Sequence, residues 1–230
     1  MTKAKEIHMI IGIIGTVISS LISLAPMPTF IQVYKKKSME GDYDPQRHIA
    51  MLIKCGLWIL YGLPQVQKDN ILVTTSNGIS FGIELIYLVL YFNYCEDKAR
   101  RDKNANCIPL GMFIVGFFYV VTLNVCEGDA RQISVGVVCT VFTIVMYTWL
   151  FRKITMVDKR RFQYMPLGLS FVCFINAAIW TAYSLIYQFD IYVLICNGLG
   201  ILACAIQFIV NVLHYTPTLN AIDSINVIDV

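Results

Sequence analysis

Residues 69–78, Asp69-Asn-Ile-Leu-Val-Thr-Thr-Ser-Asn77-Gly78, open an apolar run that reaches Tyr94, and the chain states the same pattern again near its C-terminus. The second copy reads Asp190-Ile-Tyr-Val-Leu-Ile-Cys-Asn197-Gly198 and runs on to Tyr215. Each copy follows a matching segment: Leu57-Trp58-Ile-Leu-Tyr61-Gly-Leu63 first, then Ile179-Trp180-Thr-Ala-Tyr183-Ser-Leu185. The Trp and Tyr pairs are offset by 122 residues and the Asn-Gly pair by 120. A near-constant offset over two linked segments is an internal repeat. Asn-Gly inside an apolar span is unusual, because Gly is a weak helix former and an amide in hydrocarbon is costly unless it lines a wet cavity or finds a partner. One such Asn is equally well explained by helix packing. Two at matching places in two repeats predict a shared central site.

Composition sets the class. The chain has 230 residues, 57% hydrophobic and 14% charged, with a mean hydropathy of +0.64. A soluble domain sits near 45–50% apolar and about 25% charged. This is a membrane protein with little length left for a soluble domain. A net charge of +3 gives no reason to expect nucleic acid as a partner. The eight cysteines lie mostly inside apolar runs without a CxxC spacing; they read as small core residues. The three histidines, at 8, 48 and 214, are scattered near helix ends. No metal and no cofactor is expected. A membrane enzyme would need clustered nucleophilic or titratable groups in its spans, and the sequence lacks them.

Seven apolar segments follow one another: 7–34, interrupted by Pro26 and Pro28, then 48–64, 71–94, 108–126, 133–151, 166–187 and 191–214. The predicted fold is all-α, seven transmembrane helices as two parallel three-helix repeats joined by a linker helix. Residues 7–94 form the first repeat, 95–131 a hydrophilic loop and the linker helix, 132–215 the second repeat, and 216–230 a polar, mobile tail. The fourth span has no counterpart in the repeat; one extra crossing lets two odd-numbered halves lie parallel. Of the 18 Lys and Arg residues, thirteen flank the ends joined by 35–47, 95–106 and 152–165, and four flank the opposite ends. The basic side is expected in the cytosol, with the N-terminus outside or lumenal and the C-terminus cytosolic.

A three-one-three arrangement carrying Leu24-Ala-Pro-Met-Pro-Thr-Phe30, Tyr34-Lys-Lys-Lys-Ser-Met-Glu40, Leu57-Trp-Ile-Leu-Tyr-Gly-Leu-Pro64, Asn77-Gly78, Gln163-Tyr-Met-Pro166 and Asn197-Gly198 resembles the SWEET (MtN3/saliva) sugar transporters, in a plant-like form. The likeness covers roughly Gly12 to Tyr215. It implies facilitated, bidirectional diffusion of mono- or disaccharides, with a sugar and the lipid bilayer as partners. It also admits a homo-oligomer and favours a plasma membrane over a vacuolar one. The family's central asparagines and tryptophans fall on Asn77, Asn197, Trp58 and Trp180. Amides suit vicinal hydroxyls, and an indole face suits the C–H face of a pyranose. The family's four hinge prolines are only half kept: Pro26 and Pro166 match, Pro45 lies in the loop near the second, and the third falls on Trp149. Two other readings stay open, a proton-coupled small-solute carrier and a seven-helix receptor. Coupling needs a titratable carboxylate in the path, and Glu84 is the one acid inside an apolar span.

Lys54 is the other charge in a span. It lies one turn before Trp58, and its counterpart in the second repeat is Asn176; both are assigned to the substrate path. A lysine there costs roughly 2.5–3.5 kcal/mol on insertion scales unless it snorkels, meets water or pairs. Snorkelling into a wet vestibule is the favoured expectation, and a pair with Glu84 the alternative.

Overall fold

The computed structural model describes residues 3–39, 43–156 and 167–226, and side chains within 3–39, 43–148 and 168–209. Among these, every element is helical: α1 Lys3–Ser23, α2 Met27–Lys36, α3 Gln46–Tyr61, α4 Ile71–Tyr94, α5 Lys98–Ala105, α6 Cys107–Asn124, α7 Asp129–Met156, α8 Leu167–Ile186 and α9 Ile191–Asn226. Six described segments are long and apolar enough to cross a bilayer, with α1 and α2 together as one and α5 and α6 as another. The seventh crossing is α3, whose 16 residues reach about 24 Å at 1.5 Å per residue. The fold is therefore the expected two three-helix repeats with α6 between them.

The expected spans map closely onto these helices, and α4 matches residue for residue. The expected break at Pro26 is present, and two segments differ from expectation. Pro26 sits between α1 and α2 and breaks the ladder: Met27 N bonds back to Leu24 O at 2.9 Å. The loop expected at 95–106 contains α5. Its start is capped by Asp97, whose Oδ1 accepts from Arg100 N at 3.0 Å, satisfying a backbone donor that would otherwise lack a partner. The tail expected to be mobile continues α9 in helical form to Asn226; Leu219, Ile222 and Ile225 keep an apolar spacing of three along it.

Contacts between the repeats run through α1 against α8 and α3 against α7. Glycines allow the closest approaches around the first helix of each half. A Cβ on Gly12 would lie 2.5 Å from Leu72 Cδ1 and 2.7 Å from Tyr183 Cε2, and one on Gly136 would lie 2.5 Å from Tyr192 Cδ2. The core cluster they frame contains Trp58, Tyr61, Val73, Val135, Cys139, Trp180, Tyr183, Val193 and Cys196. Members from both repeats meet there. The surface outside is apolar, with Phe113, Val120, Leu110 and Leu202 more than half exposed, as lipid-facing helices require.

Candidate functional site

Trp58 and Trp180 each reach a side chain of the other repeat. Trp180 Nε1 donates to Ser19 Oγ on α1 at 3.0 Å, and Ser19 Oγ donates onward to Asn176 Oδ1 at 2.9 Å. Trp58 Nε1 reaches Thr143 Oγ1 on α7 at 3.4 Å. Both indoles are buried, at 5% and 7% exposure, so neither is an interfacial anchor in lipid. Each stands edge-on to the tyrosine three residues later, Trp58 to Tyr61 at 5.3 Å and Trp180 to Tyr183 at 5.1 Å between ring centroids.

The first helices of the halves obey the same near-symmetry. Thr16 Oγ1 donates to Gly12 O and Thr140 Oγ1 to Gly136 O, each at 2.8 Å. With Ser19 and Thr143, these pairs set a register of 124 between α1 and α7. By that register Pro26 falls opposite Leu150, one residue beyond Trp149. The side chain of Trp149, and Pro166 altogether, lie outside the described residues.

Asn77 and Asn197 also behave alike. Each Nδ2 donates to the carbonyl four residues back, Val73 O and Val193 O, at 2.8 Å. Those valines are buried in the cluster that holds both tryptophans, while both asparagines are half-buried. One amide hydrogen and the carbonyl oxygen of each remain for a ligand. Lys54 is half-buried and makes no hydrogen bond or ion pair among the described residues. Its ammonium is within electrostatic reach of Cys139 and Tyr147 on α7, Cys173 on α8 and Cys196 on α9.

Glu84 has a different partner from the lysine considered above. Its Oε2 lies 2.5 Å from His48 Nδ1, with both side chains buried. The other imidazole nitrogen, Nε2, hydrogen-bonds the Tyr43 hydroxyl. An Nδ1–H donor and an Nε2 acceptor satisfy both bonds with one tautomer. Burial pushes the Tyr43 phenol above its ordinary pKa. Phe30 stacks on Tyr87 at 4.4 Å and stands edge-on to His48 at 5.5 Å, completing a cage that fastens α2 and the 43–45 turn to α4. The loop before it is docked as well: Met39 N donates to Tyr94 O at 2.9 Å and Lys37 Nζ to Tyr94 Oη at 2.9 Å.

At the opposite end the helices close on one another through polar side chains that sequence reasoning did not assign to the site. Tyr61 Oη donates to Asp190 Oδ1 at 2.8 Å, and Tyr183 Oη donates to Asn70 Oδ1 at 3.0 Å. Asn70 Nδ2 crosses to Asp190 Oδ2 at 3.1 Å. Tyr61 and Tyr183 are repeat partners at an offset of 122, and Asn70 and Asp190 at 120. The seal is thus built twice about one pseudo-axis, and all four residues are buried. Asp190 also caps α9, accepting from Tyr192 N and Val193 N at 3.1 Å. Asp69 is not its equivalent: it has a φ of +59° and pairs with Lys5 at 2.8 Å. The 122 offset of the tyrosines was a usable signal; their hydrogen bonds were not, because each partner comes from the other half.

Known proteins resemble this chain in sequence and fold. A sequence family described as a sugar efflux transporter for intercellular exchange matches residues 9–99 and 133–218. The bidirectional sugar transporter SWEET8 of Arabidopsis thaliana is 42% identical over 221 residues, 95% of this chain and 92% of that protein. The Arabidopsis bidirectional sugar transporter SWEET4 is 38% identical, over 95% of this chain and 86% of its own length. A solved eukaryotic SWEET transporter superposes with a TM-score of 0.83 at 25% identity, covering 93% of this chain and 99% of the other. Two repeats with matched Trp and Asn-Gly positions, a linker helix between them and relatives of this identity along nearly the whole length lead to one statement: the chain belongs to the SWEET (MtN3/saliva) family.

Proposed function

We propose that this protein carries mono- or disaccharides passively and in both directions, by alternating access to a site between the repeats. The observation that carries this reading is the combination of a doubled hydrogen-bonded seal at one end with half-buried Asn77 and Asn197 one turn beyond the core cluster. A pathway closed at one end, with amides left free deeper in, is what a carrier needs to hold a hydroxyl-rich solute. Asn77 and Asn197 bind the sugar from two sides, Trp58 and Trp180 wall it, and Asn176 and Lys54 line the path one turn away. Pro26 and Pro166 act as hinges. The relatives named as bidirectional sugar transporters support the cargo.

The Asp190 end faces outside or the lumen, and the Lys37 end faces the cytosol. The asymmetry of basic residues supports this orientation, and a plasma membrane suits it. Transport is uncoupled from protons. Glu84 belongs to the Tyr43–His48 cage, in a packing cluster separate from the one that holds the tryptophans, so it does not line the path. Uptake of labelled sugar by proteoliposomes, with and without an imposed proton gradient, tests both points. Saturable uptake that ignores the gradient is expected. No uptake of any mono- or disaccharide would refute the carrier, and accumulation above equilibrium driven by the gradient would refute uniport.

A further inference from the structure

Beyond the seal, at the Asp190 end, lies an open cavity of about 610 Å³. Three connecting segments line it: Pro64–Lys68 before α4, residues 128–132 at the start of α7, and Gln188 with Phe189 before α9. Its volume falls within the range of small-molecule sites, about 300–1,000 Å³.

The lining is selective in chemistry. Four glutamines contribute, Gln65, Gln67, Gln132 and Gln188, and each carboxamide offers two N–H donors and an acceptor oxygen. Gln65 and Gln188 make no side-chain hydrogen bond among the described residues, so their full capacity is free. Phe189, 65% exposed, provides a flat apolar face at the rim. Lys68, Arg131 and Asp129 give the lining two cations and one anion. Arg131 keeps its charge but its donors are directed at backbone carbonyls, Cys126 O at 2.8 Å and Leu123 O at 3.2 Å. A dense field of amides beside one aromatic plate suits a neutral, hydroxyl-rich molecule, and the excess of one positive charge disfavours a cation.

The remaining two glutamines tie this mouth to the seal. Gln67 Oε1 accepts from Asn70 Nδ2 at 3.0 Å, and Gln132 Nε2 donates to Tyr61 Oη at 3.4 Å. Both bonds end on members of the quartet that holds the end shut.

We infer that this mouth is a second sugar-binding site, separated by the seal from Asn77 and Asn197, that takes a neutral polyhydroxylated ring of mono- or disaccharide size. A sugar there competes for the amides of Gln67 and Gln132, so its arrival weakens the bonds that close the path. This rests on the carrier reading, because it gives the same class of solute to both sites.

The experiment measures protection of an engineered thiol in lipid nanodiscs, where both faces are accessible. Pro64→Cys and Asp129→Cys place reporters on two different segments without removing a glutamine, so one survives if the other fails to fold. Mass spectrometry follows labelling of the engineered site by a polar thiol reagent, with a hexose and a disaccharide as probes. Labelling is expected to slow about tenfold at ten times the half-protecting concentration. It should do so equally in the Asn77→Ala/Asn197→Ala background. Adding Gln65→Ala and Gln188→Ala should raise the half-protecting concentration about fivefold or more. Absence of protection at both reporters overturns the mouth site. So does protection that vanishes with the central asparagines, which would mean that the mouth only reports a conformational change. Protection indifferent to Gln65 and Gln188 overturns it too. Sugar uptake by the unaltered protein reads the carrier function separately: a protein that moves no sugar fails that reading, whatever happens at the mouth.

Discussion

Asn77 and Asn197 each spend one amide hydrogen on their own helix, and what is left over sets their value to a ligand. In the proposed site, replacing either by Ala removes a donor and an acceptor, and the side-chain hydrogen bond it breaks in the protein lies within its own helix. Uptake should fall at least tenfold, about 1.4 kcal/mol or more at two hydrogen bonds lost, while the protein still reaches the membrane. Wild-type uptake in both variants would remove them from the site. His48 has a structural role instead. His48→Ala leaves the Glu84 carboxyl buried without its partner, and breaking a buried pair costs about 3–5 kcal/mol. Adding Glu84→Gln should restore much of the thermal stability measured in detergent, and strictly additive losses would show that the two do not act together. The sequence made Glu84 conspicuous as an acid in an apolar span, but not its partner. Helical spacing put Glu84 and Lys54 on inward faces, whereas the reach of His48 depends on the α3–α4 packing distance, which spacing does not encode. Trp58 and Trp180 were legible because their depth already argued against an interfacial place.

The elements differ in how they bend. α1 and α2 act as one crossing with a break at Pro26, which has no amide hydrogen to donate to the i−4 carbonyl, while α4 is continuous from Ile71 to Tyr94. A bend at that point suits a step in which the Lys37 end opens and closes. Pro26→Ala should therefore lower the maximal rate of sugar exchange about threefold or more and leave half-saturation nearly unchanged. An unchanged maximal rate would assign the proline to packing alone. Helix α4 could be read in full from its apolar run and the polar turn that precedes it. Helix α5 could not: its charged residues remove every hydrophobic signal, and its existence rests on the Asp97 cap and on Lys, Ala and Arg being good helix formers.

Across the whole molecule, the halves hold each other. The indole N–H groups of Trp58 and Trp180 each meet a hydroxyl from the other repeat, and the seal draws two residues from each. The repeat itself was plain in the sequence, since offsets of 120 and 122 need only counting. The bonds across the pseudo-axis were hidden, because they join residues more than 60 positions apart whose partners look unremarkable in isolation. Orientation is checked by single engineered cysteines. Residues 95–106 should resist an impermeant reagent applied to intact cells, and residues 126–131 should react; labelling of the first from outside would invert the molecule. Lys54 adds an electrical consequence. If the repeats rock as proposed, a charged Lys54 with no ion pair among the described residues would shift within the membrane field. One charge crossing the whole field is worth about 2.3 kcal/mol per 100 mV, so a tenth of that path changes a rate by about 1.5-fold. Sugar flux recorded at clamped potentials should vary by roughly this factor, and Lys54→Gln should flatten the dependence. The cargo is electrically neutral, yet the membrane voltage would help to set how fast it crosses.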